Sequence, residues 1–153
     1  MEMRIVTMRE RTSELLSARH AADALTLSRA LLAFIFVWLG LMQGAAELPV
    51  AVYLLLMAWT TDALDGPIAR RGDPRADSWI GAHDLDVDMS VSGGLLIYMV
   101  ATGLITPLVG ALYAIAWGLI FWRWGLTRSL GMLMQAPIYG WFIWVANRHA
   151  GAA

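Results

Sequence analysis

Long apolar stretches broken by short polar segments set the plan of this chain. After a polar stretch over residues 1–20, apolar runs extend from about Ala24 to Met42, Leu48 to Asp65, Asp84 to Ile105, Pro107 to Trp122 and Leu126 to Val145. A bilayer core of roughly 30 Å takes about 20 helical residues, so each run predicts a membrane-spanning helix. Arg70-Arg71-Gly72-Asp73-Pro74 reads as a helix stop and turn between the second and third runs. Residues 1–20 carry Glu10 and Glu14 and only a weak apolar face (Met8, Leu15, Leu16), which suits a short surface helix. Residues 30–42 followed by Gly44-Ala45-Ala46 imitate a signal peptide, but the polar lead is long and Arg29 sits inside the apolar stretch, so an uncleaved first helix is expected. The pattern predicts an all-α polytopic membrane bundle of about five transmembrane helices plus the short N-terminal helix. It forms one domain over 1–153, with 1–21 as a cytoplasmic N-terminal segment and 22–153 as the bundle.

Composition narrows the chemistry. The chain has 153 residues, is 59% hydrophobic with a mean hydropathy of +0.60, and holds eight Trp, which excludes an ordinary soluble domain. It has no cysteine, and its eleven basic residues are all arginine. Disulfides, thiolate chemistry and catalytic or phosphate-binding lysines are thereby excluded. A net charge of −1 gives no nucleic-acid signal. The arginines are unevenly placed: the N-terminal segment, the second connection (Arg70, Arg71, Arg75) and the fourth (Arg123, Arg128) fall on one side of the bundle. By the positive-inside rule that side is cytoplasmic. Trp122, Trp124, Trp141 and Trp144 lie near span ends, as amphipathic rings at an interface do.

The acidic residues are placed more unevenly still. Seven of the twelve are aspartates between Asp62 and Asp88, on the same cytoplasmic side. A carboxylate near hydrocarbon costs roughly 2.5–3.5 kcal/mol on insertion scales, so a cluster calls for a compensating partner. Hard divalent cations are the obvious one. Asp62 and Asp65, three apart, share a helix face, and Gly66 and Ala69 continue that stripe with little bulk. Arg70 follows with a guanidinium suited to phosphate. Asp84 and Asp88, four apart, share a face of the next helix, while Asp86 points elsewhere. Two helices each offering two carboxylates suit one or two ions and a diphosphate. Asp73 and Asp77 are most simply turn and cap residues. Asp84-x-Asp86-x-Asp88 is not a calcium loop, because glycine is missing and Leu95 takes the place of the closing Glu.

Asp62-Ala-Leu-Asp65-Gly66-Pro-Ile-Ala69-Arg70, followed by Asp84-x-x-x-Asp88, resembles the signature of the CDP-alcohol phosphotransferase family of integral membrane enzymes, D-x2-D-G-x2-A-R-x8-G-x3-D-x3-D. Asp23-Ala-Leu-Thr26-Leu-Ser-Arg29 is similar to the N-x-L-T-x-x-R stretch that often opens the family's first membrane helix. The two stretches cover the first three spans, about half the chain. The chain departs from the pattern in three ways. Thirteen residues separate Arg70 from Asp84 instead of twelve, Gly81 stands two residues before Asp84 instead of three, and five spans are expected where the family usually has six.

The resemblance implies a transferase of phospholipid biosynthesis. It would move a substituted phosphate from a CDP-alcohol, CDP-diacylglycerol in the first instance, to an acceptor alcohol, with CMP leaving. Asp62, Asp65, Asp84 and Asp88 would hold Mg²⁺ or Mn²⁺, two ions in the family's manner. Asp88 would also be the catalytic base, and Asp62, Gly66, Ala69 and Arg70 would bind the CDP substrate. The resemblance further implies a homodimer among membrane lipids, in a bacterial inner (cytoplasmic) membrane with the site facing the cytoplasm. Arg123 and Arg128 could meet an acidic acceptor, but fixing orientation and meeting anionic headgroups account for them more simply. Two other readings differ in class: a divergent non-catalytic protein that binds cation or nucleotide, and a prenyl-diphosphate transferase, which needs more spans than this length permits. A transporter fits less well, because the acids cluster at a helix end.

Overall fold

The computed structural model describes Ala24 and residues 27–69 and 84–150, with side chains described except at 65–69, 84 and 150. The expected N-terminal surface helix and the Arg70–Pro74 turn lie outside the described residues. Five helices follow one another: α1 (Leu27–Met42), α2 (Leu48–Ala69), α3 (Asp84–Ala101), α4 (Pro107–Trp124) and α5 (Arg128–Ala150). A short 3-10 turn, Gly44–Glu47, leads into α2. No strand occurs among the described residues, and the protein is all-α as expected.

The helix ends differ from the apolar runs for local reasons. α2 continues through Gly66 and Pro67 to Ala69, so the Asp-x-x-Asp-Gly segment is helical throughout. α3 stops at Ala101, short of Ile105. There Gly103 takes φ +76°, a left-handed conformation natural to glycine, and the Ile105 N–H turns back to the Met99 carbonyl at 3.0 Å. α4 opens on Pro107, whose missing N–H has no helical partner to lose, and ends at Gly125 with φ +78°. α5 starts at Arg128, later than Leu126, because Thr127 caps it: the Leu130 N–H donates to the Thr127 hydroxyl at 3.4 Å.

α3 is the hub. Its Val91, Leu95, Tyr98 and Met99 are buried among Leu32, Phe36 and Leu39 of α1, Leu55 and Ala58 of α2, and Ile138 and Phe142 of α5. The Tyr98 ring meets Phe36 and Phe142 edge-on, with centroids 6.5 and 6.3 Å away. α1 comes closest to α3. A Cβ on Gly94 would stand 2.5 Å from the Ala33 carbonyl oxygen, and one on Gly40 would stand 2.8 Å from Tyr98 Cα. The pairs 33–94 and 40–98 advance together, so α1 and α3 run parallel and their register is fixed by backbone contact. Such contact between small residues is how helices pack where neither water nor large side chains intervene.

Outward, the bundle is apolar. Leu31, Phe34 and Leu41 of α1, Tyr53, Leu56 and Met57 of α2, and Leu112, Ile115 and Leu119 of α4 are all exposed. In α4 the buried residue is Gly110, and most of the rest of the helix before Arg123 is exposed and apolar. Gly44–Leu64 and Pro107–Trp124 are long and apolar enough to cross a membrane; α1 is a shorter apolar helix. The aspartates of α3 and the polar ends of α5 make those two helices less uniformly apolar than the sequence runs suggested.

Because backbone, not a flexible side chain, fills the space beside Gly94, Gly94→Val should destabilise the purified protein by about 1–3 kcal/mol. A Cβ on Gly118 meets nothing within 4 Å, so Gly118→Ala should leave stability within about 0.5 kcal/mol. Thermal unfolding in detergent, followed by tryptophan fluorescence, distinguishes the two.

Candidate active site

Three helices converge on one guanidinium. Arg29, near the start of α1, is 1% exposed, and its Nη1 donates to Asp62 Oδ1 of α2 at 2.8 Å. The same nitrogen donates to Asp88 Oδ1 of α3. Backbone register explains the meeting. Arg29 lies one turn before Ala33, and Asp88 lies less than two turns before Gly94, so the tight 33–94 crossing delivers Arg29 to Asp88. α2 runs the other way and brings Asp62, in its last third, to the same level.

The exposures are graded. The Asp62 side chain is 59% exposed, that of Asp88 29%, and Arg29 is enclosed beneath them. Arginine keeps its charge even when buried. In a weakly polar surround it therefore needs carboxylates, and the carboxylates need it.

A cavity of about 110 Å³ opens beside the three charges, lined also by Trp59 of α2 and by Gln135 and Tyr139 of α5. Trp59 and Tyr139 stand edge to face with centroids 5.6 Å apart. Trp59 lies three residues before Asp62, and Gln135 lies four before Tyr139, so each pair shares a helix face. The arrangement combines two carboxylates, one cation, an amide and an aromatic wall, which suits a small polar ligand.

Of the residues the sequence marked, Asp62 and Asp88 are brought together here. Asp65, Gly66 and Ala69 lie on the helical backbone of α2 and Asp84 opens α3, but their side chains are outside the described residues, as is Arg70 entirely. Asp86 is exposed. Neither Arg123 nor Arg128 lines the cavity; Arg123 rests over the Trp124 ring, 5.5 Å from its centroid. Arg29, Trp59, Gln135 and Tyr139 were not marked as site residues. Arg29 carried a usable signal, since an arginine inside an apolar helix is a functional candidate by default.

The sequence model of the CDP-alcohol phosphatidyltransferase family matches residues 19–140. The chain belongs to that family. No curated protein and no solved structure matches it. The matched stretch takes in Arg29, Asp62 and Asp88, and Gln135 and Tyr139 of the cavity. The family's reaction is transfer of a phosphatidyl group from a CDP-alcohol, so this protein is a transferase of that type.

Divalent metal is general in the family, and the donor set can be tested against it. Among the described residues no three His, Cys, Asp or Glu side chains come together as a metal group. The described pair nevertheless fits: Asp62 and Asp88 are hard oxygen donors from two helices, close enough to share one nitrogen. Their common partner is already a cation.

The graded exposures set the stability cost of each charge. Without divalent metal, Asp62→Asn should cost within about 1 kcal/mol, because a pair this exposed is screened by water. Asp88→Asn, which leaves the enclosed guanidinium with its more buried partner neutralised, should cost more than Asp62→Asn. Paired denaturation curves in EDTA give the order.

Proposed function

We propose that this protein is a metal-dependent transferase of phospholipid biosynthesis, moving a substituted phosphate from a CDP-alcohol, CDP-diacylglycerol in the first instance, to an acceptor alcohol. The observation that carries the reading is the convergence of Asp62 and Asp88, one from each half of the family signature, on Arg29 beside a cavity lined by all three.

In this reading Asp62, Asp65, Asp84 and Asp88 hold Mg²⁺ or Mn²⁺, two ions as the family resemblance suggests. When bound, these ions supply positive charge to the diphosphate and its leaving oxygen. Gly66 and Ala69 present a low-profile helix face against which the cytidine nucleotide lies, Asp62 borders it, and Arg70 meets its phosphates. Asp88, the less exposed described carboxylate, accepts the proton of the incoming hydroxyl. The acceptor oxygen bonds to the β-phosphorus as the bond from that phosphorus to CMP breaks. Trp59 and Tyr139 wall the cavity and limit access of water, whose attack would waste the donor as phosphatidic acid.

The apolar exterior and the two long apolar helices support an integral membrane protein surrounded by lipid, and one domain over 1–153 belongs to the same reading. The arginine bias favours an orientation with the site open to the cytoplasm, and a bacterial inner membrane is part of the same proposed reading. A homodimer is part of the same family-based reading.

The test is release of CMP from CDP-diacylglycerol by protein in nanodiscs, across a panel of acceptor alcohols. With Mg²⁺ or Mn²⁺ and a matching acceptor, turnover is expected, and EDTA should abolish it. Asp62→Asn and Asp84→Asn should each lower the rate by about 10²-fold or more. CDP binding without turnover across the panel would favour a non-catalytic nucleotide-binding role instead.

A further inference from the structure

We propose that Arg29 is a built-in counter-ion that holds the cation position between Asp62 and Asp88 until a divalent ion displaces it, and so sets how tightly the site binds metal. The inference rests on the metal-dependent reading above. It assigns a positioning role to a residue outside the acidic signature.

The geometry is specific. A single nitrogen, Nη1, contacts Oδ1 of both carboxylates, so a cationic group already occupies the space between the two hard oxygen donors that would hold the ion. A divalent ion holds oxygen ligands at about 2.0–2.6 Å, closer than a guanidinium does, and the two cations cannot share that point. The guanidinium cannot vacate it by losing a proton. It has to move, and a long side chain rooted one turn below the Gly94–Ala33 crossing can turn while its backbone stays fixed. The adjoining cavity of about 110 Å³ gives it somewhere to turn.

Two consequences follow for binding. Without metal, Arg29 offsets the repulsion of two facing carboxylates and keeps α1, α2 and α3 assembled around a formed site. With metal, the interaction Arg29 has lost is subtracted from the ion's binding free energy. Any residual closeness of its positive charge to the ion weakens binding further. A residue with a purely structural role would act oppositely, since its loss would loosen the site and weaken metal binding.

The experiment measures Mn²⁺ alone, without nucleotide, binding to the full chain in detergent, from the loss of the free-ion electron paramagnetic resonance signal. The proteins are wild type, Arg29→Gln, Arg29→Lys and Asp62→Asn. Thermal unfolding is recorded with and without Mn²⁺. Arg29→Gln should bind Mn²⁺ about tenfold more tightly than wild type, a change of about 1.4 kcal/mol. It should also melt lower than wild type in EDTA and regain most of that loss with Mn²⁺. Arg29→Lys, which keeps the charge on a point-like donor, should fall between the two. Asp62→Asn should lose the high-affinity ion. Equal or weaker Mn²⁺ binding by Arg29→Gln overturns the proposal. Should that variant not fold, equal or weaker binding by Arg29→Lys overturns it in the same way. Wild-type binding retained in Asp62→Asn also overturns it. Absence of Mn²⁺ binding by wild type overturns the metal-dependent reading itself, and this inference with it.

Discussion

The interaction on which the rest of this structure depends is the contact of Arg29 with Asp62 and Asp88, a charge triad tying together helices far apart in sequence. Apolar packing alone would hold such a bundle loosely in rotation, because an aliphatic surface offers many nearly equivalent fits. A buried guanidinium does not tolerate rotation. Turning α1 by a quarter would place a full charge against apolar side chains, at a cost of several kcal/mol. The triad thus fixes which face of α1 looks inward, and with it which faces of α2 and α3 carry the carboxylates into the cavity.

That charge fixation works only because the helices can approach closely enough. Gly94 against Ala33 and Gly40 against Tyr98 remove the side-chain layer that would otherwise separate α1 from α3. At the level of these contacts, Phe36, Tyr98 and Phe142 fill the middle of the bundle with rings at edge contact. The aromatic layer sits away from the charged end, so the low-polarity part of the core and the ion-bearing part are stacked along the bundle and not mixed. The polar groups of Gln135 and Tyr139 enter at the charged level from α5, which packs against both α2 and α3.

Much of this was legible in the sequence, for identifiable reasons. The five apolar runs located the five helices, since uniform apolarity over about 20 residues has few other uses. Asp62 and Asp88 stood out because carboxylates beside such runs are costly. Arg29 was visible as a charge within an apolar stretch, but its partners depend on the register of three helices, and no local spacing encodes a crossing between residues 29, 62 and 88. Trp59, Gln135 and Tyr139 were harder. Their types are common in membrane helices for packing and interfacial reasons, and only the opposition of α2 and α5 makes them a cavity wall. The helix ends were misplaced by a few residues where glycine and threonine geometry, not hydrophobicity, decides the stop: Gly103 for α3 and Thr127 for α5.

The gradient of exposure across the triad also gives the site a direction. Asp62 is largely exposed, Asp88 is partly covered and Arg29 is enclosed, so among the described residues the α2 carboxylate is the most accessible charge of the triad. If these carboxylates hold a divalent ion, as proposed, Asp62 would be the more accessible hard oxygen donor and Asp88 the more covered one. Asp88 is thus the better shielded from bulk water, and there a captured proton is less readily exchanged with solvent. If Asp88 is the base, as proposed, proton transfer would take place at the deeper of the two carboxylates, directly above the enclosed arginine.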